Sequence, residues 1–248
     1  MRSSRSARAD EERRPGWLTA IPYAHRGLQG AAILENSRAA FEAAIAAGQG
    51  IECDVQLTRD GEAAVFHDYD LGRLTGEQGA VVHRTLAELR RIGLNGQDET
   101  IPSLAEMLQL VAGRAPLLIE IKAKRRSAPA LCAAVLRALD SYAGQAAVMS
   151  FNPEAGAWFT AHAPRVLRGL VVTEHEKGGV RGRVERRLAL WRSRPDFLAY
   201  DVRNLPSRFA SAQRARGLPV LTWTVRSARD AAVASAHADQ IIHELPRP

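Results

Sequence analysis

The chain has 248 residues, of which 46% are hydrophobic and 25% are charged, so it can bury a large core and is not disordered throughout. Its formal net charge is +7. Its apolar runs are too short to span a bilayer. Cys53 and Cys132 are too few for a disulfide framework in a chain of this length. We therefore expect an α/β protein located in the cytoplasm.

Residues 1–16 are charged and lack the apolar segment of a secretory signal. We expect a poorly ordered leader there, followed by a single domain over residues 17–248. A second arginine-rich run, residues 181–194 (RGRVERRLALWRSR), could bind nucleic acid or anionic lipid. It contains no nucleic-acid motif, so we interpret it as a solvated helix face. We predict no nucleic-acid partner and no transmembrane segment. The hypothesis of a weak contact with a membrane surface stays open. The sequence does not indicate an oligomeric state.

After the leader, short apolar strands alternate with helices rich in alanine and leucine. In chain order, the predicted strands cover residues 21–25, 50–56, 63–67, 116–122, 146–151, 166–172, 196–201, 219–225 and 240–243. The predicted helices cover residues 37–47, 103–112, 129–142, 153–161 and 228–236.

Alternating βα units with strands this short indicate a parallel sheet. There are about eight units when the hairpin-like pair around Asp60–Gly61 counts as one, and this number predicts a closed (β/α)8 TIM barrel. Residues 69–102 interrupt the alternation and are rich in glycine, threonine and charge. We expect them to form a small insertion after the third strand, packed over one end of the barrel.

Ionisable residues end four of the otherwise apolar strands. They are His25 in the first strand, Glu52 and Asp54 in the second, His67 in the third, and Glu120 and Lys122 in the fourth. Catalytic groups of a βα barrel gather at the carboxyl ends of its strands. A buried charge costs free energy unless it is paired or bound to metal. The pattern therefore indicates a functional site rather than packing.

Residues i and i+2 share one face of a strand, so Glu52 and Asp54 are predicted to point together into the mouth of the barrel. Glu120 and Lys122 share a face for the same reason. Three carboxylates form a hard oxygen site that suits Mg²⁺, Ca²⁺ or Mn²⁺. The alternative is a network in which the carboxylates only pair with Arg26 and Lys122, but it leaves the histidines unexplained.

His25 and His67 suggest acid–base chemistry, because the unperturbed pKa of histidine lies close to neutral pH. One of them could remove a proton while the other donates one. Arg26 and Lys122 supply positive charge for an anionic substrate, and arginine can bind phosphate through two hydrogen bonds. Together with a metal ion, these residues are a set suited to phosphoryl transfer.

Six segments resemble the glycerophosphodiester phosphodiesterase family, within the phospholipase-C-like phosphodiesterase superfamily, in order and spacing. They are AHRG (24–27), LENSRAAFEAAIAAG (34–48), IECDVQLTRDG (51–61), HDYDLGRLTGEQG (67–79), TIPSLAEML (100–108) and LLIEIK (117–122). Weaker matches follow in MSFNPE (149–154), LTWTV (221–225) and ADQIIHELP (238–246). The resemblance covers nearly the whole chain after the leader.

The resemblance implies that His25 and His67 are the catalytic acid–base pair. It implies that Glu52, Asp54 and Glu120 bind one divalent cation, Mg²⁺ or Ca²⁺, with Mn²⁺ as a third option. It also implies a (β/α)8 barrel with a small insertion after the third strand. The reaction would be hydrolysis of a glycerophosphodiester to glycerol 3-phosphate and an alcohol.

Five further residues are implied by the same resemblance. Arg26 and Lys122 would contact the phosphate, and Trp223 would line the pocket for glycerol or the leaving group. Glu35 and Asn36 would support the first loop. The substrate, a small glycerophosphodiester, is the one partner that the resemblance indicates.

The sequence departs from the family pattern at three places. Leu34 stands where the family usually has proline, and Ser37 stands where it usually has threonine. Near the carboxyl end, His243–Glu244 stands where the family tends to have Thr-Asp. These departures bear on substrate preference, so a phospholipase D-like or C-like enzyme acting on lysophospholipids remains the alternative. A barrel that binds phosphodiesters without catalysis is a third hypothesis.

Overall fold

The computed structural model describes residues 16–30, 32–96, 98–124, 127–175 and 178–244. The predicted leader therefore lies outside the described residues, apart from Gly16. The helices are α1 (Trp17–Ala20), α2 (Arg38–Ala46), α3 (Gly72–Thr75), α4 (Leu86–Leu89), α5 (Leu104–Val111), α6 (Ala128–Leu139), α7 (Pro153–His162), α8 (Gly179–Ser193), α9 (Arg208–Ala215) and α10 (Ala228–His237). The strands are β1 (Tyr23–Ala24), β2 (Gly50–Leu57), β3 (Ala63–Val65), β4 (Leu117–Ile121), β5 (Ala146–Ser150), β6 (Leu167–Val172), β7 (Phe197–Asp201), β8 (Val220–Val225) and β9 (Gln240–His243).

Eight parallel strands close into a barrel in the order β1-β2-β4-β5-β6-β7-β8-β9, and β1 pairs with both β2 and β9 to complete the ring. Strand β3 is the exception, because it runs antiparallel to β2 and pairs Val65 with Val55. The predicted hairpin around Asp60–Gly61 is thus present, and the predicted (β/α)8 TIM barrel is confirmed.

The strands have apolar residues on both faces, because one face packs on the helices and the other fills the barrel. On β2, the outward residues Ile51, Cys53 and Val55 join the core between strands and helices. Inside the barrel, side chains such as Leu118 and Phe197 form a separate cluster. This arrangement leaves the alternate positions near the carboxyl ends of the strands to polar residues.

Polar caps fix where several helices begin after their strands. The Ser37 hydroxyl accepts a hydrogen bond from the Ala40 amide at the start of α2. Asn152 caps α7 and is followed by proline at the first helical position, as the sequence predicts.

Helix α9 was not among the predicted helices. Within the described ranges, every helix is too short or too polar to cross a lipid bilayer.

The segment between β3 and α5 forms two short helices, α3 and α4, and a 3-10 turn at Val81–His83. It has a small hydrophobic cluster of its own, which includes Phe66, Leu71, Leu89 and Ile101. It also carries polar side chains to the edge of the barrel mouth, where they contact the first loop. The bounds proposed for the insertion, residues 69–102, remain a prediction.

Candidate active site

The predicted polar residues meet at the carboxyl ends of the barrel strands. His25 directly follows β1, Glu52 and Asp54 lie in β2, and Glu120 lies in β4. Asp54 and Glu120 are opposite each other in the ladder between β2 and β4. His67 follows β3. Neighbouring strands therefore place these side chains around a single mouth.

Three carboxylates form a compact buried cluster. One oxygen each from Glu52, Asp54 and Glu120 lies within 4.8 Å of the others. Glu52 and Asp54 are fully buried, and Glu120 is 6% exposed. The alternation along β2 and β4 directs these side chains inward, as the sequence predicts. This confirms that the three acidic residues form one group.

Two cations contact the carboxylate cluster. Lys122 Nζ lies 3.1 Å from Asp54 Oδ1 and 2.8 Å from Glu120 Oε1. Arg26 Nε lies 3.2 Å from Asp54 Oδ2, and the Arg26 backbone amide donates to Glu52 Oε2 at 3.0 Å. The other oxygen, Glu52 Oε1, is buried and has no hydrogen-bond partner among the described residues.

The three carboxylates differ in pKa because the cations are distributed unevenly. Burial raises the pKa of Glu52 well above its ordinary value, and repulsion from Asp54 and Glu120 raises it further. Burial also raises the pKa of Asp54, but attraction to Lys122 and Arg26 outweighs it and holds that pKa at about 2. Burial raises the pKa of Glu120, and Lys122 offsets only part of this effect.

This chemistry fits a hard divalent cation. The donor set is entirely oxygen, and Glu52 Oε1 is a buried acceptor without a donor in the described part of the chain. Among the described residues, three acidic groups face two cationic side chains at the cluster. Carboxylate oxygens are the ligands that Mg²⁺ and Ca²⁺ prefer, and a bound ion would favour the charged form of Glu52.

His25 is oriented by a carboxylate that was not among the predicted site residues. Its Nδ1 atom lies 2.5 Å from Glu244 Oε1, and its Nε2 atom lies 3.9 Å from Glu52 Oε2. Because a carboxylate can only accept, Nδ1 donates to Glu244 and Nε2 is left facing the cluster. Arg226 holds Glu244 through hydrogen bonds of 2.6 and 2.9 Å. The sequence feature that could have indicated Glu244 is the departure from the family pattern at residues 243–244.

His67 has a similar arrangement. Its Nδ1 atom donates to Asp68 Oδ1 at 2.6 Å. Arg73 of α3 holds Asp68 at 2.5 and 3.0 Å. Burial lowers the pKa of His67 below its ordinary value, and Asp54 offsets part of this effect. Asp68 and Arg73 were also not among the predicted site residues, although Asp68 follows His67 directly in the sequence.

Glu35 and Asn36 link the first loop to the site through hydrogen bonds. Asn36 Nδ2 donates to Asp54 Oδ2 at 3.0 Å, and the Asp54 amide donates back to Asn36 Oδ1 at 3.2 Å. Glu35 accepts hydrogen bonds from both Arg26 and Arg73. The loop needs Gly27, which has a φ of 79°. A Cβ atom on Gly27 would lie 2.8 Å from the backbone carbon of Ala40.

The site opens into a cavity of about 540 Å³. Its wall includes both histidines, Arg26, Lys122, Trp223 and Phe151. The rings of Trp223 and Phe151 meet edge to face with centroids 5.5 Å apart. Trp223 Nε1 donates to the Ala199 carbonyl at 2.9 Å, which fixes the indole in place. All of the predicted polar site residues are therefore beside one cavity or in the loop that supports it.

The barrel and its polar mouth define the class of fold, and comparisons with known proteins define the family. The family model for the glycerophosphoryl diester phosphodiesterase family matches residues 25–244. The chain therefore belongs to this family.

Two bacterial relatives carry the name glycerophosphodiester phosphodiesterase. The protein from Bacillus altitudinis is 44% identical over 109 residues, which cover 41% of this chain and 44% of the relative. The protein from Caldanaerobacter subterraneus is 33% identical over 164 residues, which cover 62% of this chain and 67% of the relative. The alignment with the Bacillus altitudinis protein thus spans less than half of that protein.

Solved structures extend the likeness over most of the chain. A phosphodiesterase from Oleispira antarctica, in complex with the product sn-glycerol-3-phosphate, aligns with a TM-score of 0.80 and 26% identity. The alignment covers 92% of this chain and 94% of that chain. A Thermotoga maritima glycerophosphodiester phosphodiesterase aligns with a TM-score of 0.72 and 26% identity, over 90% of this chain and 94% of that one.

The Glu52→Gln substitution is expected to stabilise the protein when divalent cations are removed. The pKa of Glu52 is raised in the fold. Below the pKa that Glu52 has in the unfolded chain, its protonated carboxyl group makes its full contribution to the free energy of unfolding. That contribution is lost as the pH rises through the raised pKa of the folded state. The amide has no charge to bury at any pH. In urea with chelator at pH 8, we expect E52Q to exceed the wild type by about 1 to 3 kcal/mol.

The matched control is Glu62→Gln, which removes a carboxylate from an exposed pair with Arg137. It should change the free energy of unfolding by less than about 1 kcal/mol. If E52Q were no more stable than the wild type in chelator, the buried carboxylate of Glu52 would not destabilise the folded protein as inferred.

Proposed function

We propose that this protein hydrolyses glycerophosphodiesters to glycerol 3-phosphate and an alcohol. The observation that carries the proposal is a buried three-carboxylate cluster in one cavity with two histidines, each oriented by a carboxylate. The family, and the Oleispira antarctica phosphodiesterase in complex with sn-glycerol-3-phosphate, support the class of substrate.

Glu52, Asp54 and Glu120 would hold one divalent cation, either Mg²⁺ or Ca²⁺, with Mn²⁺ as a third option. When bound, the cation stabilises negative charge on the phosphate. Arg26 and Lys122 would bind the phosphate oxygens, since both line the cavity and both direct a cationic group towards the cluster. Their charges favour an anionic diester over a neutral ester.

His25 and His67 would carry the two proton transfers. Cleavage of a diester requires a proton to leave the attacking group, either water or a glycerol hydroxyl, and a proton to reach the departing oxygen. On each histidine a carboxylate engages Nδ1, so Nε2 is the atom that can exchange a proton with the substrate. Glu244 and Asp68 would position the rings and stabilise their protonated forms.

Trp223 would line the part of the cavity that takes glycerol or the leaving group. Its ring is held by the contact with Phe151 and by the hydrogen bond from Nε1 to the Ala199 carbonyl. A fixed aromatic wall can bury the carbon skeleton of the substrate while the charged side chains contact the phosphate.

We also propose that residues 17–248 form one catalytic domain located in the cytoplasm. Both cysteines, Cys53 and Cys132, are free and buried. This supports a location in which no disulfide is needed.

The test is release of glycerol 3-phosphate by the purified 248-residue chain. Several glycerophosphodiesters and a panel of lysophospholipids are each supplied with Mg²⁺, with Ca²⁺ or with chelator. We expect release from the water-soluble diesters with a divalent cation and little release with chelator. His25→Ala and His67→Ala should each lower kcat by about 10²- to 10⁴-fold, because each removes a proton-transfer group.

The matched control is His162→Ala, which removes an exposed histidine on α7 and should leave kcat unchanged. Absence of activity on every diester with every cation would contradict the proposed function. Faster turnover of lysophospholipids than of soluble diesters would favour the phospholipase-like alternative. Full activity of H25A or H67A would show that the catalytic residues are assigned wrongly.

Glu244→Gln tests the positioning of His25 separately from its chemistry. The amide can keep a hydrogen bond to Nδ1 but removes the negative charge that stabilises the protonated ring. We expect kcat to fall by about 10- to 100-fold while KM changes little, as is usual when an orienting carboxylate is lost. Glu42→Gln, in an exposed pair with Arg114, is the control. A wild-type kcat for E244Q would contradict the positioning role.

A further inference from the structure

Helix α8 exposes four large apolar side chains, Val180, Val184, Leu188 and Trp191, which we call the α8 stripe. They are 67%, 48%, 58% and 71% exposed, respectively. At about 100° per residue these positions cover an arc of about 80° on one face of the helix. Monomeric proteins rarely gather exposed apolar side chains into one such row. We therefore expect the α8 stripe to be covered by a binding partner.

The α8 stripe points directly away from the barrel. The buried residues of this helix are Gly182, Arg186 and Ser193, and they lie on the opposite face. Gly182 and Ser193 are small, so the helix lies close to its neighbours on that side. The stripe is therefore not a poorly packed part of the core but an outward-facing surface.

Arginines flank the α8 stripe on both sides. Arg181 and Arg192 lie along one edge, where they pair with Glu185 and Glu154. Arg183 and Arg187 lie along the other edge, and both are exposed. An apolar face bordered by arginines is the pattern of a helix that lies in the interface of a membrane.

A cleft of about 710 Å³ adjoins the side of the stripe that carries Arg183 and Arg187. Arg208 and Arg216, at the two ends of α9, line the same cleft. None of these four arginines is in an ion pair with another described residue. Among the described residues that line the cleft, Glu174 is the one acidic residue, and it already pairs with Arg186. This side of the molecule is therefore strongly cationic.

We propose that α8 docks the protein on the surface of an anionic phospholipid membrane. The α8 stripe enters the boundary between head groups and acyl chains, and Arg183 and Arg187 contact lipid phosphates. A second copy of the chain fits this face poorly, since it would bring like-charged arginines together. Nucleic acid fits poorly because it would leave the apolar stripe uncovered.

Docking through α8 concerns where the protein acts rather than what it cleaves. In a (β/α)8 barrel the helix after β6 runs back along the outside from the mouth. A membrane covering α8 would therefore leave the barrel on its side, with the mouth open along the surface. The proposal does not depend on the proposed hydrolysis of glycerophosphodiesters.

The test is co-sedimentation of the 248-residue chain with two kinds of vesicle, phosphatidylcholine alone and phosphatidylcholine mixed with phosphatidylglycerol. We expect binding to the anionic vesicles, little binding to the neutral ones, and release as salt is added. The fluorescence of the bound protein should shift to the blue, and Trp191→Phe should remove the shift while retaining the binding.

Two double variants separate the two parts of the surface. R183Q/R187Q should weaken partitioning by about tenfold or more, because each arginine near an anionic surface contributes roughly fivefold. L188S/W191S should weaken it by about tenfold or more through the loss of apolar contact. The matched controls are Arg91→Gln and Val82→Ser, which change exposed residues elsewhere and should bind like the wild type.

Urea unfolding of the double variants shows whether they are folded, since all four positions are exposed and should tolerate the changes. The proposal is overturned if the wild type does not bind anionic vesicles at low salt. Wild-type binding by both double variants would also overturn it. Self-association that L188S/W191S abolishes, without vesicle binding, would identify the stripe as an interface between copies instead.

Discussion

Repulsion between buried carboxylates determines how the site is organised. Oxygens of Glu52, Asp54 and Glu120 lie within 4.8 Å of one another, away from water. Lys122 and Arg26 largely satisfy Asp54, but Glu52 keeps a raised pKa and an oxygen without a partner in the described chain. Such a group costs free energy unless a cation compensates it. The barrel can bear this cost because its strand ladders fix the side chains that carry it.

Each histidine beside the cluster is oriented by a chain of two charged residues. His25 and His67 face the mouth, and the Nδ1 atom of each bonds to a carboxylate that is itself bonded to an arginine. The orienting groups come from distant parts of the sequence, one just after β9 and the other in the segment after β3. Closure of the barrel and packing of that segment are therefore both needed before the histidines are in place.

Local sequence patterns predict the barrel and the carboxylate cluster because the period of a strand decides which side chains share a face. The contact between His25 and Glu244 spans 219 residues, so it depends on closure between β1 and β9, which no local pattern contains. Arg73 was missed for the same reason, since its role depends on how α3 folds over the mouth. In α8, the many arginines of the sequence favour a solvated helix face. The exposed apolar row that ends at Trp191 can be recognised only when the buried face of the helix is known.

We propose that Glu52, Asp54 and Glu120 together bind one divalent cation. Electron paramagnetic resonance of Mn²⁺ titrated with the purified chain at neutral pH tests this directly, without reference to activity. We expect one tightly bound Mn²⁺ per chain, displaced by Mg²⁺ or Ca²⁺, and at least about tenfold weaker binding after Glu120→Gln. Absence of bound Mn²⁺ in the wild type, or unchanged binding in E120Q, would contradict it.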